Sequence, residues 1–148
     1  MSRISFATIL ATSVACFLLT FVGCDLDTRE SANLAKSTFE GTVKGDVSIA
    51  KNIDWQTFRF QGEDYGPSYL TLATDYQRTQ FKSAIIMKMS AIFNAKNWTA
   101  VNVRNWKVGA KGVESAIVSA EVQGGGGKIT MYIQKVSLEK KIHRIEYQ

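Results

Sequence analysis

The sequence predicts an α+β domain in which N-terminal helices pack on a four-stranded antiparallel sheet. Three observations predict it. Apolar residues recur at helical spacing up to about Asn97, the pattern switches to alternation after it, and the alternating runs are separated by glycine-bearing or charged turns. Helices first and strands afterwards segregate into one layer each, the α+β arrangement rather than an alternating α/β one. Residues 1–23 stand apart by composition, and the remainder of the chain is long enough for one ordinary domain with a real core and no second one.

Asp27 and Glu30 are spaced as a capping box, and Ala32, Ala35, Phe39 and Val43, joined by Leu34, then mark one face of a first helix. Gly45-Asp46 ends it, and Asp46 caps a short second helix with Val47, Ala50 and Ile53 on its apolar side. Phe58 and Phe60 alternate with Thr57, Arg59 and Gln61, a short strand-like piece before a loop at residues 62–67. Ser68 starts a third helical stretch carrying Leu72, Tyr76, Phe81, Ile85, Met89 and Phe93, either one helix or two parted near Arg78-Thr79. A first long strand is expected from Thr99 to about Val108, turned by Gly109 to Gly112. Ala116, Val118, Ala120 and Val122 line one face of the second strand, with Ser115, Ile117, Ser119 and Glu121 on the other. Gly124 to Gly127 form a loop, Ile129, Met131 and Ile133 resume the alternation, and Glu139-Lys140-Lys141 turns into a last strand from Ile142 to Tyr147.

Residues 4–24 carry no charge, follow Arg3, and end in Phe21-Val22-Gly23-Cys24. A basic residue ahead of an apolar tract is the layout of an export signal. The four-residue ending resembles the lipobox of bacterial lipoproteins, with Gly23 as the small residue before the acceptor cysteine and Phe21 where leucine is usual. The resemblance implies cleavage between Gly23 and Cys24, a diacylglyceryl thioether and often an amide-linked acyl chain (palmitate, for example) on Cys24. It leaves residues 1–23 as signal peptide, 24–27 as lipidated end and short tether, and 28–148 as the domain. Asp25 after the cysteine is an inner-membrane retention signal in enteric-type bacteria, so the expected address is the cell envelope, on a membrane face outside the cytoplasm. The alternatives for the same tract are a plain cleaved signal and an uncleaved helix, since about twenty apolar residues just cross a bilayer core. Cysteine usage favours lipidation. Cys16 would be discarded with the signal, leaving Cys24 without a disulfide partner inside the chain.

Cleavage would take Arg3 alone from the 18 basic residues and none of the 13 acidic ones. The remaining excess of positive charge is small and spread out, with Lys140, Lys141 and Arg144 its densest part, which argues against nucleic acid.

The order of elements is similar to the cystatin-like cone of the nuclear transport factor two-like superfamily. Two stretches carry the likeness. Helix one ends in Phe39-Glu40-Gly41-Thr42-Val43-Lys44-Gly45-Asp46 before a short helix, and the chain closes with Tyr132-Ile133-Gln134-Lys135-Val136, a turn, and Lys141-Ile142-His143-Arg144-Ile145. Lys140 stands where members usually have tryptophan. The resemblance implies a curved sheet wrapped around the helices over about residues 28–148, with dimerisation through the sheet as one option.

Most catalytic readings fail on residue types. Gly124 to Gly127 and Lys128 are followed by Ile129 and a strand, not by Ser or Thr and a helix, so they make a hairpin and not a phosphate loop. One histidine, His143, and one lipid-bound cysteine cannot form a metal site or a nucleophilic triad. Acid–base chemistry is the surviving enzyme option, because cone-shaped relatives include isomerases, dehydratases and cyclases using Asp, His and Tyr in an apolar pocket. Asp75, Glu121 and Tyr132 are then the candidates, each needing burial to act near neutral pH. Trp55, Trp98 and Trp106 fit core packing better than a ligand wall. The resulting expectation is an exported, membrane-anchored binding or accessory module with no cofactor or metal, its partner a protein or a small apolar ligand. A pocket enzyme and a sheet-mediated dimer are the alternatives.

Overall fold

Helix α1 occupies residues 27–44 of the computed structural model, which describes residues 27–148. The compact unit is Ser31–Gln148. A 3-10 segment, Val47–Asn52, succeeds α1, then strands β1 (Arg59–Phe60) and β2 (Glu63–Asp64) and helices α2 (Gly66–Leu70) and α3 (Asp75–Ala95). Four long strands complete the chain: β3 (Val103–Lys111), β4 (Ser115–Val122), β5 (Lys128–Val136) and β6 (Glu139–Tyr147).

The sheet has six strands in the order β2-β1-β6-β5-β4-β3. The expected four-strand antiparallel meander is there, and the strand-like piece around Phe58 and Phe60 adds to its edge. β1 pairs parallel to β6, with Arg59 opposite Arg144 and Phe60 opposite Ile145, and β2 folds back on β1. The Phe58/Phe60 alternation anticipates β1, whereas the two-residue β2 falls in the expected loop and leaves no periodic signal.

One face of α1 is buried at Ser31, Ala35, Thr38, Phe39 and Thr42, a helical repeat that includes three hydroxyls. The expected stripe is rotated, since Ala32, Leu34 and Val43 are only half-buried. Hydroxyls can occupy the inner face because each has a partner. Thr42 donates to the Thr38 carbonyl at 2.7 Å, Thr38 accepts from Asn52 at 3.0 Å, and Ser31 accepts from Lys140 at 3.1 Å. The helix stops at Gly45, whose φ of +68° allows Gly45 N–H to reach Thr42 O and Asp46 N–H to reach Gly41 O, both at 2.9 Å. This is a Schellman stop. Asp46 then caps the next turn by accepting from Ser48 N–H at 2.9 Å.

The third helical stretch is two helices, broken at residues 71–74 and not at Arg78-Thr79. Thr74 and Gln77 form a reciprocal capping box that starts α3 afresh. At its far end Asn97, at φ +55°, closes a second Schellman stop, with Trp98 N–H on Phe93 O at 2.9 Å. The Trp98 ring lies flat on the Phe93 ring, centroids 5.9 Å apart. Trp98 therefore belongs to the helix cap and does not open a strand. Residues 99–102 are a turn, in which Thr99 N–H bonds Asn102 Oδ1 at 2.7 Å and Asn102 Nδ2 bonds Asn97 O at 2.6 Å. β3 consequently starts at Val103 and extends through Gly109 to Lys111, later at both ends than its pattern suggests. β6, by contrast, starts early, at Glu139, so the residues expected to form its turn, Glu139 to Lys141, are its first strand residues.

The core lies between the helices and one face of the sheet. Ala116, Val118, Ala120 and Val122 of β4, Ile129, Met131 and Ile133 of β5, and Ile142 and Ile145 of β6 face inward as the alternation implies. All three tryptophans pack here. Trp106 sits 5.7 Å from Phe39, and Trp55 lies 5.4 Å from Phe58 while donating to Ala50 O at 2.8 Å.

Candidate functional site

The sheet face turned away from the helices carries an organised set of polar side chains. Its geometry comes from register. Tyr132 on β5 is opposite Arg144 on β6, which is opposite Arg59 on β1, and Thr130 is opposite Glu146. Residues two apart on a strand share a face, so Arg144 and Glu146 stand side by side. Arg144 Nε donates to Glu146 Oε1 at 2.8 Å, and a second guanidinium N–H bonds the same oxygen. Tyr132 OH donates to Glu146 Oε2 at 3.0 Å, and the Arg144 guanidinium carbon lies 4.6 Å from the Tyr132 ring centroid. This is a closed triad of one anion, one cation and one phenol.

Its electrostatics fit that closure. Arg144, helped by Tyr132, holds the Glu146 carboxyl below the usual carboxylate range, against the cost of partial burial. Burial and the Glu146 carboxylate push the Tyr132 phenol up, so it stays a donor. His143 sits in a bulge, the extra residue between Arg144, paired with Tyr132, and Ile142, paired with Ile133. Its ring meets Tyr132 edge-on at 6.3 Å. Burial pushes its pKa down, Asp54 pulls it back, and Arg144 pushes it down further, which favours the neutral imidazole.

A second network borders the first. Asp54 Oδ2 accepts from Thr57 Oγ1 at 2.6 Å and Gln134 Nε2 at 2.7 Å, while Asp54 Oδ1 accepts from Gln56 N–H at 3.2 Å. A third lies elsewhere, where Lys88 Nζ donates to Glu63 Oε2 and to Tyr65 OH, both at 2.8 Å, and Tyr65 OH donates to Glu63 at 2.6 Å. Lys88 and Tyr65 together hold Glu63 below the usual carboxylate range. Neither network is visible in the sequence. The contacts of Asp54 with Gln56 and Thr57 and of Tyr65 with Glu63 are local, but Gln134 and Lys88 come from far along the chain, Lys88 twenty-five residues from Glu63.

Of the residues singled out for chemistry, the structure brings none together. Asp75 is the first residue of α3, its side chain fully exposed, 3.7 Å from Arg78. Glu121 is exposed on β4, opposite Arg104 and Lys128. Only Tyr132 belongs to a network, and it lies on the outer face and not within the core. Among the described residues no group of three His, Cys, Asp or Glu side chains could hold a metal ion, and no helix is long and apolar enough to cross a membrane. Cys24, with Gly23 and Asp25 beside it, lies outside the described residues.

No family model matches the chain, and no curated protein matches it either. A solved structure of a DUF4783 family protein from Bacteroides uniformis is similar over 76% of this chain and 94% of its own, at 19% sequence identity and a TM-score of 0.42.

Proposed function

We propose that the chain is an exported lipoprotein whose domain serves as a non-enzymatic binding or accessory module at a membrane surface. The observation that carries this is Cys24, placed after Gly23 at the end of an uncharged tract that comes after Arg3. Two or three acyl chains on one cysteine give stable anchoring, whereas one gives only marginal binding. We also read the α+β architecture as a cystatin-like cone. Helices confined to one face, and irregular pairing in β3 and β6 that bends those strands, support it.

The module part of the proposal rests on how the polar groups are engaged. A general base needs a carboxyl raised toward neutrality, usually by burial. Glu63, Glu139 and Glu146 are shifted the other way, each held ionised by a neighbouring Lys or Arg. A pre-ordered, solvent-facing Tyr132–Arg144–Glu146 surface suits recognition of a polar protein surface.

Growth of producing cells with radiolabelled palmitate tests the anchor, with label expected in the wild-type chain and absent from Cys24→Ser. Label that persists in Cys24→Ser would refute lipidation at this residue. Turnover by the purified protein that disappears on substituting Asp75, Glu121 or Tyr132 would replace the module reading with the enzyme one.

A further inference from the structure

We propose that the end of the sheet formed by the β3–β4 and β5–β6 hairpin tips is the surface that rests on the bilayer, with Val113 and Leu138 entering its interface. The proposal builds on the lipid-anchor reading of Cys24.

Three observations converge on that end. The first is apolar exposure. Val113 is 102% exposed and Leu138 91% exposed, with Val136 beside it partly so. Single exposed apolar residues are ordinary, but hairpin tips are normally Gly, Asn, Asp or Ser. Here both tips at one end carry a large aliphatic residue. The two tips are neighbours, since Lys135 N–H donates to Glu114 O at 2.8 Å across them. Two strand spacings separate the hairpins, roughly 10 Å.

The second is where the chain leaves the domain. Ser31 on α1 is tied to Lys140 on β6 at 3.1 Å, and Lys140 pairs with Lys135 next to the Leu138 turn. Ser31 stands seven positions after Cys24, a reach of at most about 25 Å fully extended and less where the chain is helical. The opposite end of the sheet, at the Gly124–Gly127 loop, lies a nine-residue strand further on, about 30 Å away. Acyl chains on Cys24 are thus within tether reach of a membrane that the apolar tips touch.

The third is charge. Lys111, Lys135, Lys140 and Lys141 surround the tips, against Glu114 and Glu139, and the start of α1 adds Asp27, Arg29 and Glu30, which leaves a small basic excess; Lys141 is paired with Glu139, and Lys111 and Lys140 are engaged as well. Anionic headgroups attract such a net-basic rim within a Debye length, and the aliphatic tips fit the boundary between headgroups and acyl chains. One end thus combines anchor exit, apolar tips and basic rim, which favours a bilayer over a protein partner.

The test uses the full lipidated chain in vesicles of phosphatidylethanolamine and phosphatidylglycerol. An environment-sensitive fluorophore is attached through Val113→Cys or Leu138→Cys, with Gln123→Cys at the far loop as the control. All three positions are exposed, so the substitutions spare the core. Flotation and intact mass report the anchor separately. Vesicle-bound, acylated protein should show blue-shifted emission at 113 and 138, quenched by brominated lipid at least about twofold more than at 123, as insertion into the interface requires. Acylated, floating protein whose labels at 113 and 138 stay as wet as that at 123 would overturn the proposal and leave the anchor standing. So would shielding of those labels that appears only on adding other membrane proteins. Protein without acyl chains would overturn both readings together.

Discussion

His143 is the residue whose environment departs most from what its place in the sequence suggests. Alternation puts the sole histidine on an ordinary strand face, but the bulge between Ile142 and Arg144 half-buries it against Tyr132. Bulges depend on the partner strand, so no reading of β6 alone reveals one. Its pKa is held below 6.5, chiefly by burial. Below that pH the unfolded chain takes up a proton that the folded chain refuses, so stability is complete above about 6.5 and falls as pH drops under it. Denaturant titrations from about pH 7 to pH 5 should show that decline, and His143→Gln should flatten it. An NMR titration placing His143 at or above 6.5 would contradict the assignment. A second acid loss comes from Glu146, whose depressed carboxyl stabilises the fold above its unfolded value and ceases to as pH falls through the folded one. Phe93 is the central packing residue, touching Phe39, Phe60, Trp98 and Tyr147. Phe93→Ala should cost about 3–5 kcal/mol by chemical denaturation. Gly41 is closed from the other side, because an added Cβ would lie 2.2 Å from Ile49 Cγ2. Gly41→Ala should therefore destabilise by roughly 1–3 kcal/mol although alanine favours helix, since the core has no room for it.

Elements were legible where their signal was long and local. The switch from helical spacing to alternation marks β4 and β5 almost residue for residue, because each has one buried face and a period of two. Gly45-Asp46 was legible as a stop and a start for the same reason, since capping chemistry is written in neighbouring residues. Features set by contacts from afar escaped. The rotation of α1 depends on Asn52 and Lys140 meeting its hydroxyls, and the late start of β3 goes with Trp98 stacking on Phe93 at the end of α3. The break before α3 is signalled by Thr74 and Gln77, which are spaced as a capping box but sit within an apolar pattern that runs past them. Thr74→Ala should cost about 1 kcal/mol and fray the first turn, with lost amide protection around Gln77 as the readout. Unchanged protection there would mean that packing, not the cap, holds the start of α3.

At the scale of the whole molecule, the candidate site was the least legible part. Asp75 and Glu121 are acid–base candidates by residue type alone, and both are on the surface, because type cannot report burial. Tyr132 was named, but its partners Arg144 and Glu146 are set by register between strands, which no single segment reveals. Position is central to the proposed role: a domain tethered within a few residues of a bilayer, its outer sheet face closed into ion-paired networks and turned to solvent. Intact-mass measurement of the chain purified from the membranes of a producing bacterium tests that role most directly. A mature chain that begins at Cys24 and carries a diacylglyceryl group on it is the expected result. A mass that includes residues 1–23, or an unmodified Cys24, would contradict it.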